Sequence, residues 1–154
     1  MQFEIKNGSR RIVFLIGKRA YKIPNPKRWV SFIRGIEENL EERYWWSADG
    51  SRKREPKRPW DTKLPLAEIF WADRFGFLVI MERLDTSFMN VDNLHIKPSR
   101  IDQVNQDLEH LTECCVGFSF HKDISARNVG YRGNRLLVLD YGYFGGTLDS
   151  YIGT

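Results

Sequence analysis

Between His121 and Gly142 the chain reads HKDISARNVGYRGNRLLVLDYG, and this stretch gathers the groups that phosphate chemistry uses. Asp123 supplies a carboxylate, Asn128 an amide five residues later, and Asp140 a second carboxylate within Asp-Tyr-Gly, with a hairpin-like run between them. Phosphoryl transfer needs one carboxylate to orient and deprotonate a hydroxyl. It also needs an amide oxygen and a further carboxylate to hold Mg²⁺ against the phosphates, because catalysis here is mostly positioning and charge neutralisation. The plainer alternative is an aspartate-rich loop on an unrelated hairpin, with Asp123 capping a turn. That alternative leaves the joint spacing without a cause.

These groups must be carried by a folded scaffold, and 154 residues suffice for one compact domain or two small lobes with a shared core. A hydrophobic content of 42% with 14% aromatic residues excludes disorder, and no apolar run approaches the roughly 18 residues of a membrane span. The opening MQFEIKNGSRR lacks the apolar core of an export signal, so a cytoplasmic location is expected. The two cysteines, Cys114 and Cys115, are adjacent within a helical pattern, which argues against a disulfide and for a reducing compartment. Neither stands at zinc-ligand spacing from another Cys or His. The formal charge of +4 suits an anionic ligand without requiring one.

In chain order, Phe3 to Lys6, Arg11 to Ile16 and Ala20 to Ile23 read as three short strands, with turns at Asn7-Gly8-Ser9 and Gly17-Lys18-Arg19. Pro24-Asn25-Pro26 ends the third strand, and a helix is expected from Lys27. On it Trp29, Phe32, Ile33, Ile36, Leu40 and Tyr44 recur at near-helical spacing and are expected in the core. The stretch 47–63, SADGSRKREPKRPWDTK, reads as a charged loop. Leu64 to Trp71 and Phe77 to Met81 read as two further strands about a turn at 72–76. Pro98-Ser99 opens a second helix, with Ser99 as its expected N-cap and Ile101, Val104, Leu108, Leu111 and Cys115 along one face. Residues 128–131, the turn Arg132-Gly133-Asn134 and Leu136 to Leu139 form the hairpin that delivers Asp140. His95 and His110 have no partner spacing and are read as structural or exposed.

The pattern H-x-D-x-x-x-x-N followed by D-x-G resembles the catalytic loop and metal-binding turn of the protein-kinase-like superfamily. Asn39-Leu40-Glu41-Glu42 followed by Tyr44-Trp45-Trp46 is similar to the N-x-x-E-x-x-x-W helix of minimal kinase-like proteins of bacteria and phages. The resemblance covers most of the chain from Arg11 to Gly142, and its specific motifs are confined to Lys22, the helix glutamates and 121–142. It implies an α+β fold: residues 1–82 as a five-stranded antiparallel N-lobe with one helix, and 83–154 as a truncated C-lobe of one main helix and catalytic hairpins, forming one structural unit. A cytoplasmic setting, in the host if the source is viral, follows from the same resemblance.

What it implies for the site is equally specific. Lys22 would reach the phosphates of ATP, fixed by a helix glutamate, Glu42 by the motif match with Glu41 as runner-up. Met81, Glu82 and Arg83 would form the hinge that reads the adenine edge through backbone groups, with Met81 gating the back of the pocket. Asp123 would orient the acceptor hydroxyl, Asn128 and Asp140 would hold Mg²⁺, and Arg127 would neutralise developing charge or form a structural ion pair. His121 would support the loop backbone. Two departures stand out: the first hairpin offers only Gly8 in place of a glycine-rich loop, and only 14 residues follow Asp140, too few for an activation segment or a peptide platform.

These features imply a minimal kinase that transfers the γ-phosphate of Mg-ATP to a hydroxyl, with a protein as the expected acceptor. The alternative is a kinase-fold binding or inhibitory protein acting on a partner through aromatic surfaces that include Trp45, Trp46, Trp60 and Trp71. Nucleic-acid binding through the basic 52–58 loop ranks last, and no membrane partner is expected.

Overall fold

A computed structural model describes residues 3–52, 64–90, 95–116, 122 and 124–141, with 47–52 followed by backbone course alone. Three consecutive strands, β1 (Phe3–Asn7), β2 (Arg11–Ile16) and β3 (Arg19–Pro24), form an antiparallel meander. A long helix, α1 (Trp29–Arg52), leads to β4 (Ile69–Ala72) and β5 (Val79–Glu82), which complete a five-stranded antiparallel sheet in the order β1-β2-β3-β5-β4. The second half holds a 3₁₀ turn at Pro98–Arg100, the helix α2 (Ile101–Cys114), and the hairpin β6 (Val129–Arg132) and β7 (Arg135–Val138). Gly133, at φ +60°, closes that hairpin in a conformation that disfavours side chains. The fold is thus mixed α and β, with a five-stranded antiparallel sheet and two helices.

The helix α1 departs from its expected form in two ways. It runs to Arg52, through residues read as loop, because no proline intervenes before Pro56 and the single Gly50 costs only about 1 kcal/mol. Its buried face is also not the apolar one: Trp29 and Tyr44 are 74% and 61% exposed and Leu40 lies at the surface. The residues turned inward are Gly35, Glu38, Asn39 and Glu42, at steps of three, one and three. Gly35 makes this possible, since a Cβ there would stand 2.4 Å from the Arg10 carbonyl oxygen and 2.9 Å from Pro24 Cα. The helix therefore lies close on β2 and β3, and those strands present cations to it.

Three further boundaries differ from expectation. Leu64 to Ala67 does not extend β4; Leu66 forms a parallel bridge with Val138, in which Pro65, lacking an N–H, contributes its carbonyl to the Val138 N–H at 2.8 Å. Ser99 is not the cap of α2: Pro98 starts a 3₁₀ turn one residue earlier, and Arg100 holds the cap position without a side-chain hydrogen bond. On α2, Val104, Leu111 and Cys115 are buried as the periodicity requires, while Ile101 is exposed. One continuous buried cluster joins Ala20, Val79 and Met81 of the sheet to Val104 of α2 and to Leu137 and Val138 of the hairpin.

Candidate functional site

A cluster of charged side chains forms where the sheet, α1 and the end of the β6–β7 hairpin meet. On β3 the in-pointing positions alternate, so Lys22 faces the same side as Ala20 and is buried. Its Nζ donates to Glu42 Oε1 at 2.6 Å and to the Leu139 carbonyl at 2.7 Å. Glu42 is wholly buried, four residues after Glu38 and hence on the same helical face. Glu41 is turned elsewhere and accepts a hydrogen bond from Trp45 Nε1 at 2.8 Å, so it is not the partner of Lys22. Asn39 anchors this face, donating to the Gly76 carbonyl at 2.8 Å and to the Lys22 carbonyl at 3.4 Å.

Asp140 lies two residues beyond the end of β7 and reaches the same cluster. Its backbone N–H and that of Leu139 both point at the Asn128 carbonyl, at 3.4 and 2.9 Å, which brings Asn128 and Asp140 side by side. Asn128 is itself held by its N–H to the Ser125 carbonyl at 2.9 Å. Asp123, His121 and Gly142 lie outside the described residues. Arg127 is exposed and lines a recess of about 610 Å³ with His95, Ile96, Ile101, Asn105, Ser125 and Ala126, which contains none of the charged cluster. Arg127 thus stands apart from the charged cluster.

Arg11 is the participant that sequence reading missed. It opens β2, and its guanidinium is buried among four acceptors: Nε faces Glu38 Oε2 at 3.1 Å, Nη1 faces Asn39 Oδ1 at 3.2 Å and Glu42 Oε1 at 2.9 Å, and Nη2 pairs with Asp140 Oδ1. Arg10 adds a pair to Glu38 Oε1 at 2.6 Å, so three cations balance three carboxylates. One signal was available: Arg11 shares a strand face with Val13 and Leu15 at i, i+2 and i+4, and a charge on an inward face requires partners.

The electrostatics follow from this crowding. Burial pushes the Asp140 carboxyl upward, yet Arg11 and Lys22 beside it outweigh that and hold it well below the usual carboxylate range. Burial alone would lower the Arg11 pKa; the surrounding Asp140, Glu42 and Glu38 raise it instead. Glu38 is pushed up by burial, with Arg11 pulling against the shift. Oε2 of Glu42 is buried and has no hydrogen-bond partner among the described residues.

The hinge segment is less open than expected. Met81 is buried in the core. The Glu82 N–H goes to the Glu68 carbonyl at 2.9 Å and the Arg83 N–H to the Lys18 carbonyl at 3.0 Å, so neither is available to an adenine edge. Their side chains are engaged as well, Glu82 with Arg132 and the Glu68 N–H, Arg83 with Glu4 at 3.1 Å.

Among the described residues no three His, Cys, Asp or Glu side chains group as a metal site. A Mg²⁺ site needs less, because the ion is commonly held by one or two carboxylates with substrate phosphates completing its shell. Asp140, the adjacent Asn128 and the unpartnered Glu42 Oε2 are oxygen ligands of the fitting kind. No described helix is long and apolar enough to cross a membrane.

No family model matches the chain, and no curated protein matches it in sequence. Among solved structures, a choline/ethanolamine kinase family protein from Mesorhizobium loti is similar at 12% identity and a TM-score of 0.43. The match covers 93% of this chain, which spans 58% of that protein. At that level the likeness carries no argument about activity.

Proposed function

We propose that this chain is a minimal kinase-like phosphotransferase that moves the γ-phosphate of Mg-ATP to a hydroxyl acceptor, with a protein side chain as the acceptor class. The observation that carries the reading is the buried Lys22–Glu42 pair, whose lysine also touches the Leu139 carbonyl, one residue before Asp140. In this reading Lys22 binds the phosphates and Glu42 fixes its ammonium group. Asn128 and Asp140 hold the metal, and Asp123 orients the hydroxyl and takes its proton. Bound Mg²⁺ would supply charge neutralisation at the transferring phosphoryl group. Arg127, at the surface recess, would contact the acceptor side of the loop.

The test is calorimetry of ATP with Mg²⁺ on the wild type and on Asp140→Asn, with γ-phosphate transfer assayed in the same preparations. Binding that is lost in Asp140→Asn, and transfer that disappears in Asp123→Asn with binding retained, supports the reading. Absence of both heat and thermal stabilisation at saturating ATP removes it.

A second reading, a kinase-fold binding protein, is favoured by two observations. Asp140 is engaged by Arg11, and an aromatic row runs from α1 to the turn between β4 and β5, with Trp29 and Phe32 stacked at 5.9 Å, Phe32 beside Phe77 at 6.2 Å, and Phe75 beside Phe77 at 6.3 Å. Of the tryptophans expected at an interface, Trp71 is exposed, Trp45 and Trp46 pack partly against the core, and Trp60 lies outside the described residues. Of the basic 52–58 loop, the ground for nucleic-acid binding, residues 53–58 also lie outside them.

A further inference from the structure

The charged cluster contains a cation that phosphate transfer does not call for. Arg11 stands at the head of β2, and the acceptors around it come from α1 and from Asp140, two residues beyond β7. A guanidinium gripped at Nε, Nη1 and Nη2 is fixed in plane and position. Its charge therefore rests on the carboxylate that the phosphotransferase reading assigns to a metal ion. Two cations competing for the same carboxylate repel each other.

A separate observation concerns the other oxygen of Glu42. Glu42 gives Oε1 to both Lys22 and Arg11, while Oε2, fully buried, has no donor among the described residues. Its neighbour across the cluster is the Asp140 carboxyl, and two carboxyl groups can bond each other only when one carries a proton. A hard divalent cation is the partner that such oxygen atoms accept when both are ionised.

We propose that Arg11 is an internal counter-cation that keeps this site closed to divalent metal, and that withdrawing its guanidinium uncovers a latent cation site formed by Asp140, Glu42 Oε2 and Asn128. Metal entry is then conditional on displacement of Arg11. The phosphate groups of an incoming nucleotide are chemically suited to draw it away, because arginine pairs with phosphate through two parallel hydrogen bonds. The regulatory meaning rests on the phosphotransferase reading, but the competition itself does not require nucleotide.

The experiment is a Mn²⁺ titration followed by electron paramagnetic resonance, without nucleotide, on the wild type, Arg11→Gln and Arg11→Gln/Asp140→Asn. Arg11→Gln is expected to bind Mn²⁺ at least tenfold more tightly than the wild type, and the double variant to lose that gain. Arg11→Met removes the charge while keeping an aliphatic stem and leaves Asp140 and Glu42 in place, and is expected to gain by a similar factor; it reads the same competition should Arg11→Gln fail to fold. Equal Mn²⁺ affinity in the wild type and the folded variants overturns the proposal, as does a gain that survives Asp140→Asn. A gain in Mn²⁺ binding with no ATP binding by any variant upholds the counter-cation and removes the phosphotransferase reading alone.

Discussion

At the scale of single residues, the two neighbouring glutamates on α1 have unequal tasks. Glu42 is enclosed with Lys22 and Arg11, whereas Glu41 accepts a partly buried hydrogen bond from Trp45. Removing one partner of a buried ion pair strands the other charge, typically at about 3–5 kcal/mol, while a single hydrogen bond contributes about 1 kcal/mol. Glu42→Gln should therefore lower the urea midpoint far more than Glu41→Gln, and equal effects would show that the pair is not the anchor it looks to be. Asp140 makes a pH-dependent contribution. Its carboxyl pKa is lower in the folded chain than in the unfolded one, so the stabilisation is complete above the ordinary carboxyl range near ~4 and is lost as pH falls toward the depressed value. The difference in urea midpoint between wild type and Asp140→Asn should be largest at neutral pH and close as the solution is acidified below that range. A difference that stays constant with pH would place Asp140 outside the cluster. Lys22, Glu42 and Asp140 were legible because each sits in a short pattern with fixed spacing. Arg11 was not, because its partners are 27, 28, 31 and 129 residues away and no local pattern marks them.

At the scale of elements, the strands and the β6–β7 hairpin were legible from alternation and from turn residues such as Asn7-Gly8 and Gly133. The facing of α1 was not. Its apolar residues do recur at helical spacing, but the sheet beneath carries Arg11 and Lys22, and charges buried there select the carboxylate face of the helix over the aromatic one. Gly35 is the residue that permits this approach. In Gly35→Ala the new methyl would meet backbone atoms of Arg10 and Pro24, which cannot rotate aside. Overpacking of this kind costs about 1–3 kcal/mol. The variant should also lift α1 from β3 and lengthen the Lys22–Glu42 contact, so that Glu42→Gln costs less in the Gly35→Ala background than alone. Strict additivity of the two substitutions would show that the glycine does not set the helix position.

At the scale of the whole molecule, the two halves are joined by more than the connection near residue 83. Leu66 pairs with Val138, Asp85 with Tyr131 in both directions at 2.9 Å, and Tyr141 donates its hydroxyl to the Ala67 carbonyl at 3.0 Å. Arg11 and Lys22 from the sheet end on Asp140 and Leu139, and Glu82 pairs with Arg132. The buried cluster runs through both halves without a break, so neither has a core of its own. A fragment ending at Glu82 would expose Leu66, Ala67, Val79 and Met81 and leave two buried cations without their C-terminal acceptors. We expect that fragment to lack the near-ultraviolet circular dichroism of packed aromatic residues. The full chain should unfold in one transition, with tryptophan fluorescence and far-ultraviolet signals coinciding along the urea curve. Two separated transitions, or a folded fragment, would mean that the sheet and α1 stabilise themselves.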